Sequence, residues 1–170
     1  MSITGAPDGE PGGGPQKVGV AVADLMAAMY AVSAISAALF ERERSGLGQY
    51  IDLALLDTQV AWLANQNLNY LVSGEAPARR GTAHPNIVPY QAFRTADGFL
   101  MLAVGNDAQF ARFCAVAGMA EFAADPRFVT NQDRVAHRGE LVPRIESILL
   151  ARTSAAWLAD LREAKVPCGP

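Results

Sequence analysis

The chain has 170 residues, 51% of them hydrophobic and 18% charged, with a formal net charge of −3 and a pI near 5.3. That apolar fraction excludes a disordered chain, and the acidic balance, with Arg79-Arg80 as the only basic doublet, excludes a basic nucleic-acid-binding surface. Two cysteines, Cys114 and Cys168, and two histidines supply neither a disulfide framework nor a zinc spacing, so the reading is a reducing, cytoplasmic protein without a structural metal. The opening "MSITGAPDGEPGGGPQK" has neither the basic start nor the apolar core of a signal peptide and reads as a loop.

A helix is expected to begin between Val18 and Asp24 and to end near Arg44, where Gly46 suits the left-handed position after a helix. The stretch from Val18 to Phe40 carries no charge but Asp24 and is long enough to span a bilayer. It is rich in Ala and Ser, however, and a carboxylate within a span costs about 2.5–3.5 kcal/mol. The expected element is therefore a helix of a soluble domain. "GQYIDLALLD" then alternates into a short strand over about Tyr50–Ala54. Leu56, Val60, Leu63, Leu68 and Leu71 follow near helical spacing, giving a helix capped by Asp57 and running to about Leu71. The Gly/Pro-rich run from Ser73 to Asn86 reads as an interdomain linker.

"VPYQAFRTADGFLMLAVG" gives the clearest local signal: two strand-like runs flank the turn Ala96-Asp97-Gly98. Phe110, Phe113, Cys114 and Val116 form one helical stripe opened by Asn106 and Asp107. A helix is expected from about Asn131 to Leu150, and another from Thr153 to about Ala164. "KVPCGP" starts a new extended segment. There is no internal repeat, and the fold class is mixed α/β.

Asp24 is the one residue that stands out chemically. As a helix N-cap it would accept the N–H groups of Met26 or Ala27. As a carboxylate at a helix start among apolar neighbours it would be a nucleophile toward an activated acyl group. Both readings are open at this level. His84, in "GTAHPNIVPY", is a lone loop histidine that can serve a site. Asp107 is expected to cap its helix, His137 to lie on a helix surface, and Cys114 to sit in the core. No P-loop, no GxGxxG and no GxSxG setting occurs.

"GEPGGGPQKVGVAVADLMAAMYAVSAISAALFERERSGLGQYIDLALLD" resembles the central signature of the family III CoA-transferases. The features that carry the likeness are a Gly/Pro loop with Lys17 and Gly19, an Asp opening a small-residue helix, "ERERSGLGQ" closing it, and "IDLALLD". Downstream, "AHPNIVPYQAFRTADGFLMLAVGNDAQFARFC", "DPRFVTNQDRVAHR" and "VPCGP" are similar to the family's smaller domain. The resemblance implies the end of a Rossmann-like large domain over residues 1–55, holding the catalytic aspartate. It further implies a linker helix and loop over 56–80, a small α/β domain over 81–163 and the start of a return linker over 164–170. It implies that Asp24 attacks an acyl-CoA thioester and passes through an acyl anhydride and an aspartyl-CoA thioester. Coenzyme A would be a substrate, with no permanently bound cofactor, no metal, no nucleic acid and no membrane as partners. The intact enzyme would be an interlocked homodimer whose CoA-binding residues lie largely outside this stretch, leaving the chain inactive by itself. His84 and Asp107 remain candidate substrate-binding residues, Asp107 because it falls near a catalytic glutamate of the family's racemase branch. An acyl-CoA racemase moving the α-proton is the alternative chemistry. A non-catalytic fragment with only a dimerisation role is the alternative of another class.

Overall fold

The computed structural model describes residues 3–170. Two separately packed units make up the chain, Met1–Gly81 and Thr82–Pro170.

The first unit is helical. Its opening segment is a loop held by backbone hydrogen bonds, one local and one long-range: Gln16 N–H donates to the Thr4 carbonyl (3.0 Å) and Gly81 N–H to the Gly5 carbonyl (2.9 Å). Arg79 forms an ion pair with Asp8. Gly5 sits at φ +125°, and any Cβ there would collide with the Gly14 carbonyl, so this turn requires glycine. Helix α1 spans Val22–Ser45 and ends as expected, with Gly46 at φ 72° returning its N–H to the Arg42 carbonyl. No residue of α1 is buried. Leu25, Met29, Val32, Ile35 and Leu39 are all exposed, and by length and composition the helix is apolar enough to cross a membrane.

Two expectations fail in this unit. Residues 50–54 form no strand; among the described residues no neighbouring strand offers a ladder there, and an extended segment without one stays irregular. The single helix expected from Asp57 to Leu71 is two helices, α2 (Leu55–Trp62) and α3 (Asn65–Ser73). They break at Ala64, whose φ of 48° and ψ of −119° leave helical space. Asp57 lies in the first turn of α2, whose N-cap position is Ala54. Helix α2 packs on α1.

The second unit is a three-stranded antiparallel sheet covered by helices. Strands β1 (Tyr90–Arg94) and β2 (Phe99–Ala103) form the expected hairpin, with Phe93 opposite Leu100. Its tip is Thr95–Gly98, closed by Thr95 N–H to the Gly98 carbonyl (3.0 Å). Asp97 anchors the tip by accepting the Ser154 N–H at 2.7 Å. Strand β3 (Cys168–Gly169) pairs with β2, Leu102 opposite Cys168, so the segment after Ala164 is bound into this sheet. Helices α4 (Asp107–Val116), α5 (Asn131–Ala136), α6 (Arg138–Leu149) and α7 (Ser154–Glu163) supply Phe110, Phe113, Cys114, Leu141, Ile145, Leu149, Trp157 and Leu161 to one core with Leu100 and Leu102. Asn106 and Thr153 cap α4 and α7 through their side chains, as expected, whereas Asp107, expected to cap, is the first residue of α4 and not its cap. The helix expected over 131–150 bends at His137 (φ −102°, ψ 23°), which separates α5 from α6. His137 is therefore a half-buried junction residue, not a surface helix residue. Its Nδ1 lies 2.9 Å from the Asp133 carbonyl, and its ring meets Phe128 edge-on.

Candidate functional site

The start of α1, the loop before it and the end of α2 enclose a cleft of about 320 Å³ in the first unit. Lys17, Val20, Asp24, Gln59, Trp62 and Leu63 are among its lining residues. The volume is at the lower end of small-molecule sites.

Asp24 is the carboxylate of this cleft. It is not the cap of α1: the N-cap position is Ala21, and no side chain caps the helix. The capping reading of Asp24 is thereby corrected. The helix begins at Val22, two residues before it, so the N–H groups of Met26 and Ala27 lie inside the helix, where backbone carbonyls take them. Asp24 makes no hydrogen bond or ion pair with any described residue. It sits in the first turn, where the aligned peptide dipoles are positive. Its exposure differs from the apolar surroundings that the sequence suggests. Its apolar neighbours in sequence fan out around α1 and leave the carboxylate open to solvent.

The other candidates belong to the second unit, and each has its own structural partners. His84 stacks on Tyr90, ring centroids 5.3 Å apart, and its Nδ1 accepts the Asn86 N–H at 3.1 Å. Burial, with the nearby Arg138 charge, holds its pKa below the usual histidine value. Asp107 receives a hydrogen bond from Arg134 Nη2 at 2.8 Å. The structure does not join His84 to Asp107. Cys114 is buried in the core as expected, and burial pushes its thiol up to about 12. Cys168 is half-buried in β3.

Two groups went unnoticed in the sequence as chemistry. Gln59 lines the cleft, and its Nε2 is buried with no hydrogen-bond partner. Arg134 is completely buried and gathers the carbonyls of Val88, Phe128 and Val129. The sequence signal for Arg134 was its place directly after the Thr130–Asp133 capping box. Gln59 carried no signal, because one glutamine in a helical pattern looks like any solvated position. Among the described residues no three His, Cys, Asp or Glu side chains are grouped to hold a metal ion.

A sequence model of CoA-transferase family III matches residues 1–170. The chain belongs to CoA-transferase family III. The succinate–glutarate CoA-transferase of Agrobacterium fabrum is 54% identical over 170 residues, which is all of this chain and 42% of that protein. The acetyl-CoA:oxalate CoA-transferase of Acetobacter aceti is 37% identical over 170 residues, covering 100% of this chain and 43% of its own length. Among solved structures, a CaiB/BaiF family protein from Brucella suis superposes with a TM-score of 0.72 at 46% identity, covering 100% of this chain and 44% of that one. This family III chain thus spans about two fifths of the length of the curated relatives it matches. Its mixed helix and small-sheet architecture accords with part of the CaiB/BaiF fold.

Proposed function

We propose that the complete enzyme transfers coenzyme A between an acyl-CoA thioester and a carboxylic acid, with Asp24 as the nucleophile. The observation that carries this is a carboxylate on a small cleft, with neither cap nor ion-pair partner, in a chain of this family. A side chain with no structural partner is free to form a covalent bond.

The steps balance without water. An Asp24 carboxylate oxygen attacks the thioester carbonyl carbon, the C–S bond breaks, and CoA thiolate leaves a mixed anhydride. The thiolate attacks the Asp24 carbonyl carbon of that anhydride and releases the donor acid as its carboxylate, leaving an aspartyl-CoA thioester. The acceptor carboxylate attacks this thioester and expels CoA thiolate again. The thiolate then attacks the acceptor's carbonyl, giving the new acyl-CoA and restoring Asp24. Hydrolysis of either intermediate would waste the thioester, so water must be kept out. Asp24 is exposed in this unit, so the proposal assigns water exclusion to polypeptide beyond the stretch described. The matched relatives span more than twice this chain's length, which supports that assignment. A Rossmann-like large domain, an interlocked dimer and a cytoplasmic location belong to the same proposal. The relatives' names, for succinate, glutarate and oxalate, support a dicarboxylic acid as donor or acceptor.

The test is covalent trapping in the full-length enzyme. Incubation with an acyl-CoA followed by hydroxylamine is expected to convert Asp24 to its hydroxamate, read by peptide mass spectrometry. Asp24→Asn is expected to lower kcat by roughly 10⁴-fold or more with little change in CoA affinity, because the loss falls on the transition state. Because Asp24 caps nothing, the same substitution should cost less than about 1 kcal/mol of stability, the helix-dipole contribution. An unmodified Asp24 peptide in an enzyme that turns over would refute the assignment.

A further inference from the structure

Two polar side chains share the cleft with Asp24 and have no structural work to do. Lys17 is the one cation among its described lining residues, and it makes no ion pair or hydrogen bond with any described residue. Gln59 Nε2 is buried there without a hydrogen-bond partner, an arrangement that costs stability unless a ligand uses the donor. The same cleft is also lined by Val20, Trp62 and Leu63, suited to methylene groups and not to a charge.

We infer that Lys17 and Gln59, placed on the same small cleft as Asp24, recognise the second carboxylate of a dicarboxylic acyl group while the first reacts at Asp24. The inference rests on the nucleophile reading above. Entering the cleft strips water from the distal carboxylate, and a carboxylate in an apolar site needs a counter-charge and hydrogen-bond donors. Lys17 supplies the charge on a flexible stem, and the Gln59 amide supplies N–H donors. A monocarboxylic chain of the same length would leave the buried Gln59 donor unpaired and forgo the Lys17 charge, and a site built around hydrogen bonds discriminates strongly against a substrate that lacks them.

The experiment compares succinyl-CoA with butyryl-CoA, equal in chain length and differing in the distal carboxylate, in the full-length enzyme. The readouts are kcat/KM for each ester and the yield of trapped Asp24 adduct. Wild type is expected to favour succinyl-CoA. Lys17→Met is expected to reduce the succinyl-to-butyryl ratio of kcat/KM by about tenfold or more, Gln59→Leu to reduce it by several-fold, and Lys17→Arg to keep most of it. Lys17 is exposed and Gln59 Nε2 is unbonded, so neither replacement removes a hydrogen bond from the fold. If the Asp24 adduct forms in every variant but the ratio does not move, the carboxylate assignment is overturned and the nucleophile stands. If wild type turns over with no adduct on Asp24, both fall.

Discussion

Removing the guanidinium of Arg134 is expected to destabilise the second unit strongly. Arg134 is fully buried. Its Nε donates to the Val88 carbonyl at 2.8 Å, and its Nη1 to the Phe128 and Val129 carbonyls at 2.9 and 3.1 Å. Its plane lies over the Phe110 ring at 4.4 Å. Arg134→Met fills similar space but strips these carbonyls of their donor. A hydrogen bond from a charged donor contributes about 1.5–3 kcal/mol, and the terms are not additive. The ion pair with Asp107, whose side chain is 57% exposed, adds at most about 1 kcal/mol. The expected loss is therefore about 3–5 kcal/mol, carried by the carbonyls, and a fall in Tm of about 15 °C or more for a domain of this size. Arg134→Lys should fall between, since one ammonium cannot span the same acceptors, and Asp107→Ala should cost about 1 kcal/mol or less. Urea unfolding followed by Trp157 fluorescence in a Trp62→Phe background reads the unit directly, because Trp157 is buried in its core. An Arg134→Met variant within about 1 kcal/mol of wild type would refute the reasoning, as would an Asp107→Ala variant equally damaged.

Amide hydrogen exchange on the chain alone should show fast exchange over 22–45, where α1 buries no residue, and slow exchange in the hairpin over 88–104, whose leucines are sealed in the core; equal protection would contradict this. Hydrogen bonds from Arg127 hold the Asp125 carboxyl down at about 2, below its ordinary 3.8. A depressed carboxylate pKa contributes stability above the ordinary value and loses it as pH falls toward the lowered one. Asp125→Asn should thus be less stable than wild type at neutral pH, with the gap closing as pH drops from 3.8 to about 2; a gap independent of pH in thermal melts would overturn it. In the native protein near neutral pH, iodoacetamide should label half-buried Cys168 before Cys114, whose buried thiol stands at about 12; mass spectrometry showing Cys114 alkylated first would refute it.

What the sequence determined by itself was local. The end of α1 at Gly46, the hairpin over 90–103 and the caps at Asn106 and Thr153 follow from φ preferences, turn residues and side chains that bond their own neighbours. The family was legible for a related reason: the run from the Gly/Pro loop through Asp24 to "IDLALLD" is contiguous. Long-range packing decided the rest. Tyr50–Ala54 has strand composition but, among the described residues, no partner strand, and a ladder needs two strands. Cys168–Gly169 has little strand composition, yet it pairs with β2 because the turn after α7 brings it there. Asp24 looked like a helix cap until the helix was seen to start at Val22, a shift of a few residues that only the folded backbone fixes. Arg134 carries no signal of its burial in the sequence, and only the fold places it where its Nε meets the Val88 carbonyl in the stretch leading into β1. Lys17 lies just before Asp24 in sequence, but Gln59 is far from both and reaches the cleft only because α2 packs on α1; such a convergence is a property of the tertiary fold, not of any local pattern.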